Sequence, residues 1–155
     1  MRKQIKKNID IQASKENVWE VLLNDSFTRI WYAEFSEGSH ADTDWHVGSK
    51  AVFKDHSGSG IVGTIIANEP AKLLSIEYNG FVNKGVEEYE GRIAESVKGA
   101  RETYHLSEND GFVTVAIECD MDETMFDTMS AAWEKALSKI KSLSENLEKE
   151  SAVAS

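Results

Sequence analysis

Four polar side chains fall on strand-like segments whose alternate positions are apolar, and they are the candidates for acid–base chemistry: Lys7, Asp55, Tyr78 and Tyr104. A group of this kind that faces a bound molecule can orient it or exchange a proton with it. The alternative for Lys7 and Asp55 is a strand end that is open to water. The alternative for the two tyrosines is a core ring whose hydroxyl bonds to backbone or water.

Metal, thiol and nucleotide chemistry are less favoured. Four potential metal ligands are close in sequence, namely His40, Asp42, Asp44 and His46. They surround a turn, whereas a metal site needs three or four converging ligands, so we expect an exposed cluster and no metal. Cys119 continues an apolar alternation, which predicts a buried, inert thiol. The glycines at 58, 60 and 63 match a dinucleotide pattern, but no helix follows them, so we expect a hairpin turn and no cofactor.

The charge balance limits the classes of partner. The 155 residues include 17 Lys and Arg against 27 Asp and Glu, which gives a formal net charge of −10. Proteins that bind nucleic acid or anionic membranes need a basic patch, so we expect neither kind of partner. The hydrophobic fraction of 41% is typical of a globular protein.

The length and the cysteine count suggest a simple cytoplasmic protein. We expect one domain over residues 1–150 and a frayed tail over residues 151–155. A single cysteine cannot form an internal disulfide. The first twenty residues lack the apolar core of a signal peptide. The cytoplasm is therefore the expected compartment.

The elements that must position the candidate residues follow from hydrophobic periodicity. Residues 3–12 alternate as a half-buried strand does. Ser14 is a suitable N-cap for a short helix that ends before Asn24, and residues 27–32 have the spacing of a second short helix. Apolar residues recur every three or four positions over residues 123–149, which predicts a long amphipathic helix.

The middle of the chain is rich in β-formers that glycines and turn residues interrupt. The predicted strands lie near 35–42, 49–56, 60–69, 72–79, 99–107 and 111–119. We interpret residues 80–98 as a loop with a helical turn around 89–97. Short turns between successive strands favour an antiparallel meander.

This order predicts an α+β helix-grip fold, in which a curved seven-stranded antiparallel sheet has two short helices after its first strand and the long C-terminal helix over its concave face. A straight helix on a twisted sheet leaves space at one end, which suits a small apolar ligand. We predict that ten residues line this cavity: Trp31, Phe35, Phe53, Ile65, Ile76, Tyr78, Tyr104, Met125, Met129 and Trp133. For each of them the alternative is an ordinary core residue.

Local motifs occur in a characteristic order over about residues 4–147. They include Ile9-x-Ile11-x-Ala13-Ser14, Ile30-Trp31-Tyr32, Gly60-x-x-Gly63-Thr64-Ile65, Gly99-Ala100-Arg101-Glu102-Thr103-Tyr104 and Ala131-Ala132-Trp133-x-x-Ala136-Leu137. In these motifs and their order the sequence resembles the START-like helix-grip (SRPBCC) superfamily. Within it the sequence is most similar to the activator of heat-shock-protein-90 ATPase homologue (AHSA1-like) group.

The resemblance implies three functions that remain open at this point. The first is a binding protein for a small hydrophobic, aromatic or lipid-like molecule, with no chemistry of its own. The second is a cyclase or dehydratase on a polyketide-like substrate, with Tyr78, Tyr104 or Asp55 as acid or base. The third is a co-chaperone-like interaction module with an acidic surface and a chaperone as its partner. Fold alone does not choose among them, and nothing specifies an oligomeric state.

Overall fold

A computed structural model describes residues 2–154 of the chain. The elements in chain order are β1 (Arg2–Ile11), α1 (Lys15–Leu23), α2 (Asp25–Trp31), one 3₁₀ turn (Tyr32–Glu34), β2 (His40–Asp42), β3 (Lys50–Lys54), β4 (Gly60–Glu69), β5 (Leu73–Asn83), β6 (Val86–Glu88), α3 (Arg92–Val97), β7 (Arg101–Asn109), β8 (Phe112–Asp122) and α4 (Phe126–Ala154). Among the described residues, no helix is long and apolar enough to cross a membrane.

The strands form one antiparallel sheet in the order β1-β8-β7-β5-β4-β3-β2, and β6 adds to this path by pairing with β5 alone. Two short helices follow β1, and the long α4 closes the chain. The predicted α+β helix-grip architecture is therefore confirmed, with one short strand more than expected. The sheet face that packs against α4 is called the inner face below.

One predicted strand and one predicted loop differ from the structure. The strand expected near 35–42 is reduced to His40–Asp42, because the chain before it turns through a 3₁₀ helix and packs Phe35 against Trp133. The loop expected after residue 79 is instead a hairpin between β5 and β6. Its turn residues Lys84 and Gly85 both have positive φ angles, as a two-residue hairpin turn of this type requires.

The long helix begins later and ends later than the periodicity predicted. The Asp122 side chain accepts hydrogen bonds from the Thr124 backbone N–H and hydroxyl, at 2.9 and 2.7 Å, and so stabilises a turn before the helix starts at Phe126. At its other end α4 runs to Ala154, so four residues of the expected tail are helical. Ser155 lies outside the described residues.

Carboxylates of α4 bind the segment that leaves β1. Glu145 accepts the Gln12 backbone N–H at 2.9 Å, and Glu148 accepts that of Ser14 at 2.8 Å. Ser14 in turn caps α1 by accepting the Asn17 N–H at 3.1 Å, as its type and position predicted. The C-terminal half of α4 is thereby fixed against the segment between β1 and α1.

Apolar contacts of α4 complete this attachment. Trp133, Ala136, Leu137 and Ile140 are buried in one core cluster together with inner-face residues of the sheet. Lys7, one of the candidate polar residues, extends from this same face and forms a 2.6 Å ion pair with Glu134 of α4. Lys7 is therefore paired with the helix, and it does not line the cavity described below.

The packing predicts a clear contrast between two substitutions near and on α4. Ile140 is fully buried, so Ile140→Ala should lower the free energy of unfolding by about 2–5 kcal/mol, because it leaves a cavity in the core. Met125 is 46% exposed, so Met125→Ala should change the free energy of unfolding by less than about 0.5 kcal/mol. Urea denaturation of both variants measures the difference, and equal effects would contradict the described position of the helix.

Candidate functional site

A cavity of about 330 Å³ lies between the inner face of the sheet and the first turns of α4. This volume is at the lower end of the range for small-molecule sites. Its walls are mainly aromatic and sulfur-containing side chains from seven elements: Trp31, Tyr32, Phe35, Phe53, Tyr78, Tyr104, Cys119, Met121, Met129 and Trp133.

The aromatic walls are held in place by contacts among the rings. The Trp133 ring packs edge-on against Phe35, with centroids 4.9 Å apart, and against Tyr104 at 5.9 Å. The Phe53 ring meets Tyr78 in the same way at 6.1 Å. Trp31 is fixed at its polar end, because its indole N–H donates to the Val21 carbonyl at 3.0 Å. The cavity is therefore preformed by packing.

One carboxyl group, that of Glu102, provides the polar centre of this cavity. Glu102 lies directly across from Cys119 in the β7–β8 pairing. Its Oε2 accepts a hydrogen bond from the Tyr104 hydroxyl at 2.6 Å, and its Oε1 accepts one from the Cys119 thiol at 3.6 Å. Tyr78 lines the same cavity, and the charge of Glu102 acts on its hydroxyl. Glu102 is half-buried and lines the cavity.

Burial sets the protonation of this cluster. Burial raises the pKa of the Glu102 carboxyl, and this effect exceeds the opposing effect of the hydrogen bonds it accepts. Burial, followed by the nearby Glu102 charge, raises the pKa of Tyr78, Tyr104 and Cys119 well above their usual values. The two hydroxyls and the thiol therefore stay protonated, and those of Tyr104 and Cys119 donate hydrogen bonds to the carboxyl.

Asp55 lies at the edge of the cavity and holds two loops together. Its carboxylate accepts the Ser36 hydroxyl at 2.6 Å, and it also accepts the Ser57 backbone N–H at 2.9 Å. Hydrogen bonds from these two serines lower the pKa of Asp55 to about 2. Asp55 is thus ionised and satisfied at neutral pH, and it joins the segment after the 3₁₀ turn to the β3–β4 hairpin.

Seven of the ten predicted residues line the cavity: Trp31, Phe35, Phe53, Tyr78, Tyr104, Met129 and Trp133. The other three do not. Ile65 and Ile76 pair directly across β4 and β5 and are sealed in the core at 0% and 1% exposure. Met125 lies in the turn before α4 and is exposed, because the helix begins at Phe126. Placement along the wall does not itself test ligand binding, which stays a prediction.

The sequence analysis missed Glu102, although its pattern contained the signal. The alternation that places Tyr104 and Leu106 on the inner face also includes Ala100 and Glu102. Tyr32 and Met121 were also missed as lining residues. Cys119 was predicted as a buried residue and is 2% exposed, but the structure adds that its thiol faces the carboxyl of Glu102.

Two other depressions, of about 420 and 490 Å³, are lined mainly by charged and polar side chains. The first includes His40 and Asp42 from the sequence cluster considered above as potential metal ligands. Within residues 2–154, no three His, Cys, Asp or Glu side chains are grouped so that they could hold a metal ion. The apolar cavity is therefore the candidate site.

An antiparallel sheet packed against a long C-terminal helix, with an aromatic cavity between them, defines a helix-grip domain. The family model described as "Activator of Hsp90 ATPase homolog 1-like protein" matches residues 12–145. The chain belongs to this AHSA1-like family of the SRPBCC superfamily, as its motifs indicated. Comparison with curated protein sequences gives no match.

Solved structures from several bacteria share the fold. The solution structure of the Aha1 dimer from Colwellia psychrerythraea has a TM-score of 0.68 at 20% identity, over 92% of this chain and 96% of that one. The crystal structure of MLL2253 from Mesorhizobium loti gives 0.70 at 15% identity, over 91% and 96%. CalU16 from Micromonospora echinospora gives 0.64 at 18% identity, over 92% and 76%. At these identities the likeness concerns the fold.

The raised pKa of Glu102 predicts that Glu102→Gln increases thermal stability in a pH-dependent way. A carboxyl whose pKa is raised on folding supports stability while protonated, and that support is lost as pH rises through the folded-state pKa. The variant should therefore melt higher than the wild type at about pH 8, by about 2–4 °C for each kcal/mol gained, and the difference should vanish near about pH 4.

The matched control for this experiment is Glu118→Gln, on the opposite face of the neighbouring strand β8. Thermal unfolding followed by circular dichroism across the pH range measures all three proteins. The same pH-dependent gain in Glu118→Gln, or its absence in Glu102→Gln, would contradict the described environment of Glu102.

Proposed function

We propose that this protein binds a small, largely apolar molecule in the cavity between the sheet and α4. The observation that carries this proposal is a preformed space of about 330 Å³ with walls of aromatic and sulfur-containing side chains and one polar cluster at Glu102. Pockets of this kind, mostly apolar with a few convergent polar groups, are typical of small-molecule sites. The partner is then a hydrophobic or aromatic molecule.

Binding without further chemistry is the form of this proposal that the site supports best. The Tyr104 hydroxyl and the Cys119 thiol donate to the carboxyl of Glu102. The raised pKa values of these two groups and of Tyr78 disfavour a nucleophile or a general base among them. Asp55, the other candidate, is occupied by hydrogen bonds from serines at the cavity edge. In this proposal these groups shape the cavity and orient the bound molecule.

An enzyme of the cyclase or dehydratase type is the second candidate, and Glu102 is the observation that favours it. A half-buried carboxyl with a raised pKa, hydrogen-bonded to the Tyr104 phenol, is an arrangement that can exchange a proton with a bound substrate. In that case Glu102, and not Asp55, is the acid or base. Turnover of a polyketide-like substrate that disappears in Glu102→Gln would support this candidate over simple binding.

A chaperone partner is the third candidate, and it rests on family membership alone. The family's description refers to the activation of Hsp90 ATPase, and a similar structure is that of an Aha1 dimer. The net charge of −10 would supply an acidic contact surface. A direct binding measurement with purified Hsp90, repeated at high salt, tests this candidate independently of the cavity.

The binding proposal predicts that an uncharged aromatic probe enters the cavity. N-phenylnaphthylamine should bind with enhanced fluorescence, and Met129→Trp should weaken its binding by about tenfold or more, because the larger side chain fills the space. Met125→Trp is the matched control, since Met125 precedes Met129 by one helical turn and lies outside the cavity. An equal loss of probe affinity in both variants, or no probe binding by the wild type, would contradict the proposal.

A further inference from the structure

The Glu102 carboxyl is surrounded by donors and has no counter-ion. The Tyr104 hydroxyl and the Cys119 thiol each donate a hydrogen bond to its oxygens. In the part of the chain that the structure describes, none of the ion pairs includes Glu102. These donors stabilise the ionised carboxylate, but they bring no positive charge to offset the cost of burying it.

Two cations that lie on the same sheet, Lys7 and Arg101, are each close to another carboxylate. Lys7 on the inner face is 2.6 Å from Glu134. Arg101, the neighbour of Glu102 in sequence, points to the opposite face of β7 and lies 4.0 Å from Glu77. Strand alternation thus directs the nearest cation in the sequence away from the cavity. The Glu102 carboxyl therefore faces the cavity, where the other charged lining residues are Lys54 and Asp55, and Lys54 is not among the groups that act on the pKa of Glu102.

An uncompensated carboxylate in an apolar cavity is costly, and a cation brought by the ligand removes that cost. A carboxylate offers about four acceptor positions, so the existing donors leave room for another. The cavity walls suit a cation as well, because aromatic rings attract positive charge through their faces. Trp31, Phe53 and Trp133 supply such rings, and the same rings pack against an apolar ligand body.

From this geometry we infer that the ligand is an amine, protonated at neutral pH and attached to a ring-containing apolar body, and that Glu102 is the residue that anchors its ammonium group. This inference rests on the proposed binding function and specifies its ligand class. A neutral alcohol of the same size would satisfy the hydrogen bond but leave the carboxylate charge without a partner. A ligand carboxylate would be repelled by Glu102.

Three ligands with the same naphthalene body test the inference: naphthylmethylamine, naphthalenemethanol and naphthaleneacetic acid. Each is titrated into the wild type at neutral pH, with displacement of N-phenylnaphthylamine as the readout. The amine should bind about tenfold or more tightly than the alcohol, because hydrogen bonds between charged groups are the stronger class. The acid should bind more weakly than the alcohol.

Variants then test whether Glu102 is the residue that causes the preference for the amine. In Glu102→Gln the amine should lose its advantage over the alcohol. Glu102→Asp retains the charge and should keep part of the amine preference. Glu118→Gln, on the opposite sheet face, should behave as the wild type does. Circular dichroism confirms that each variant is folded, and the wild-type comparison of the three ligands does not depend on any variant.

The outcomes separate this inference from the proposed function on which it rests. If the alcohol and the amine bind the wild type equally, or if Glu102→Gln keeps the amine preference, the ligand class is overturned and the binding function stands. If neither ligand displaces the probe and the probe itself does not bind, the proposed binding function is itself overturned. An amine preference that Glu102→Gln removes supports both.

Discussion

The attachment of α4 to the first strand and the loop after it is the constraint on which the rest of the structure depends. Four charged side chains along one side of the helix make polar contacts with this segment. Glu134 pairs with the Lys7 side chain, and Lys141 donates to the Asp10 carbonyl. Glu145 and Glu148 accept the backbone N–H groups of Gln12 and Ser14. Buried apolar residues such as Ile140 reinforce them. With the helix fixed on the β1 side, its first turns extend over the rest of the sheet, and the space beneath them becomes the cavity.

The cavity combines rigid walls with a polar centre that reduces stability. Contacts among the rings of Trp31, Trp133 and Tyr104 maintain the space without any bound molecule. Within these walls Glu102 keeps a carboxyl whose burial raises its pKa. A group that lowers stability and faces an open cavity is a common feature of functional sites, where binding supplies the missing interaction. The same reasoning supports the binding function and the preference for a cationic ligand.

Much of the fold could be predicted because it depends on local patterns. The alternation around Ile9 and the three-to-four spacing around Trp133 are visible in the sequence, and the order of strands and helices followed from them. Errors arose where a few polar contacts decide a boundary. The turn held by Asp122 delays the start of α4, which left Met125 in solvent. The turn at Lys84 and Gly85 produced a hairpin in a segment that has little apolar periodicity.

The sequence by itself determined the class of the fold and the inward direction of Tyr78 and Tyr104, since side-chain direction in a strand depends on alternation. What tertiary structure alone decided is the environment of Glu102. Its donors, Tyr104 and Cys119, come from β7 and β8, and the nearest cation in the sequence lies on the other side of the sheet. Burial and charge compensation depend on residues far apart in the chain, so no local pattern could reveal that this glutamate is unpaired.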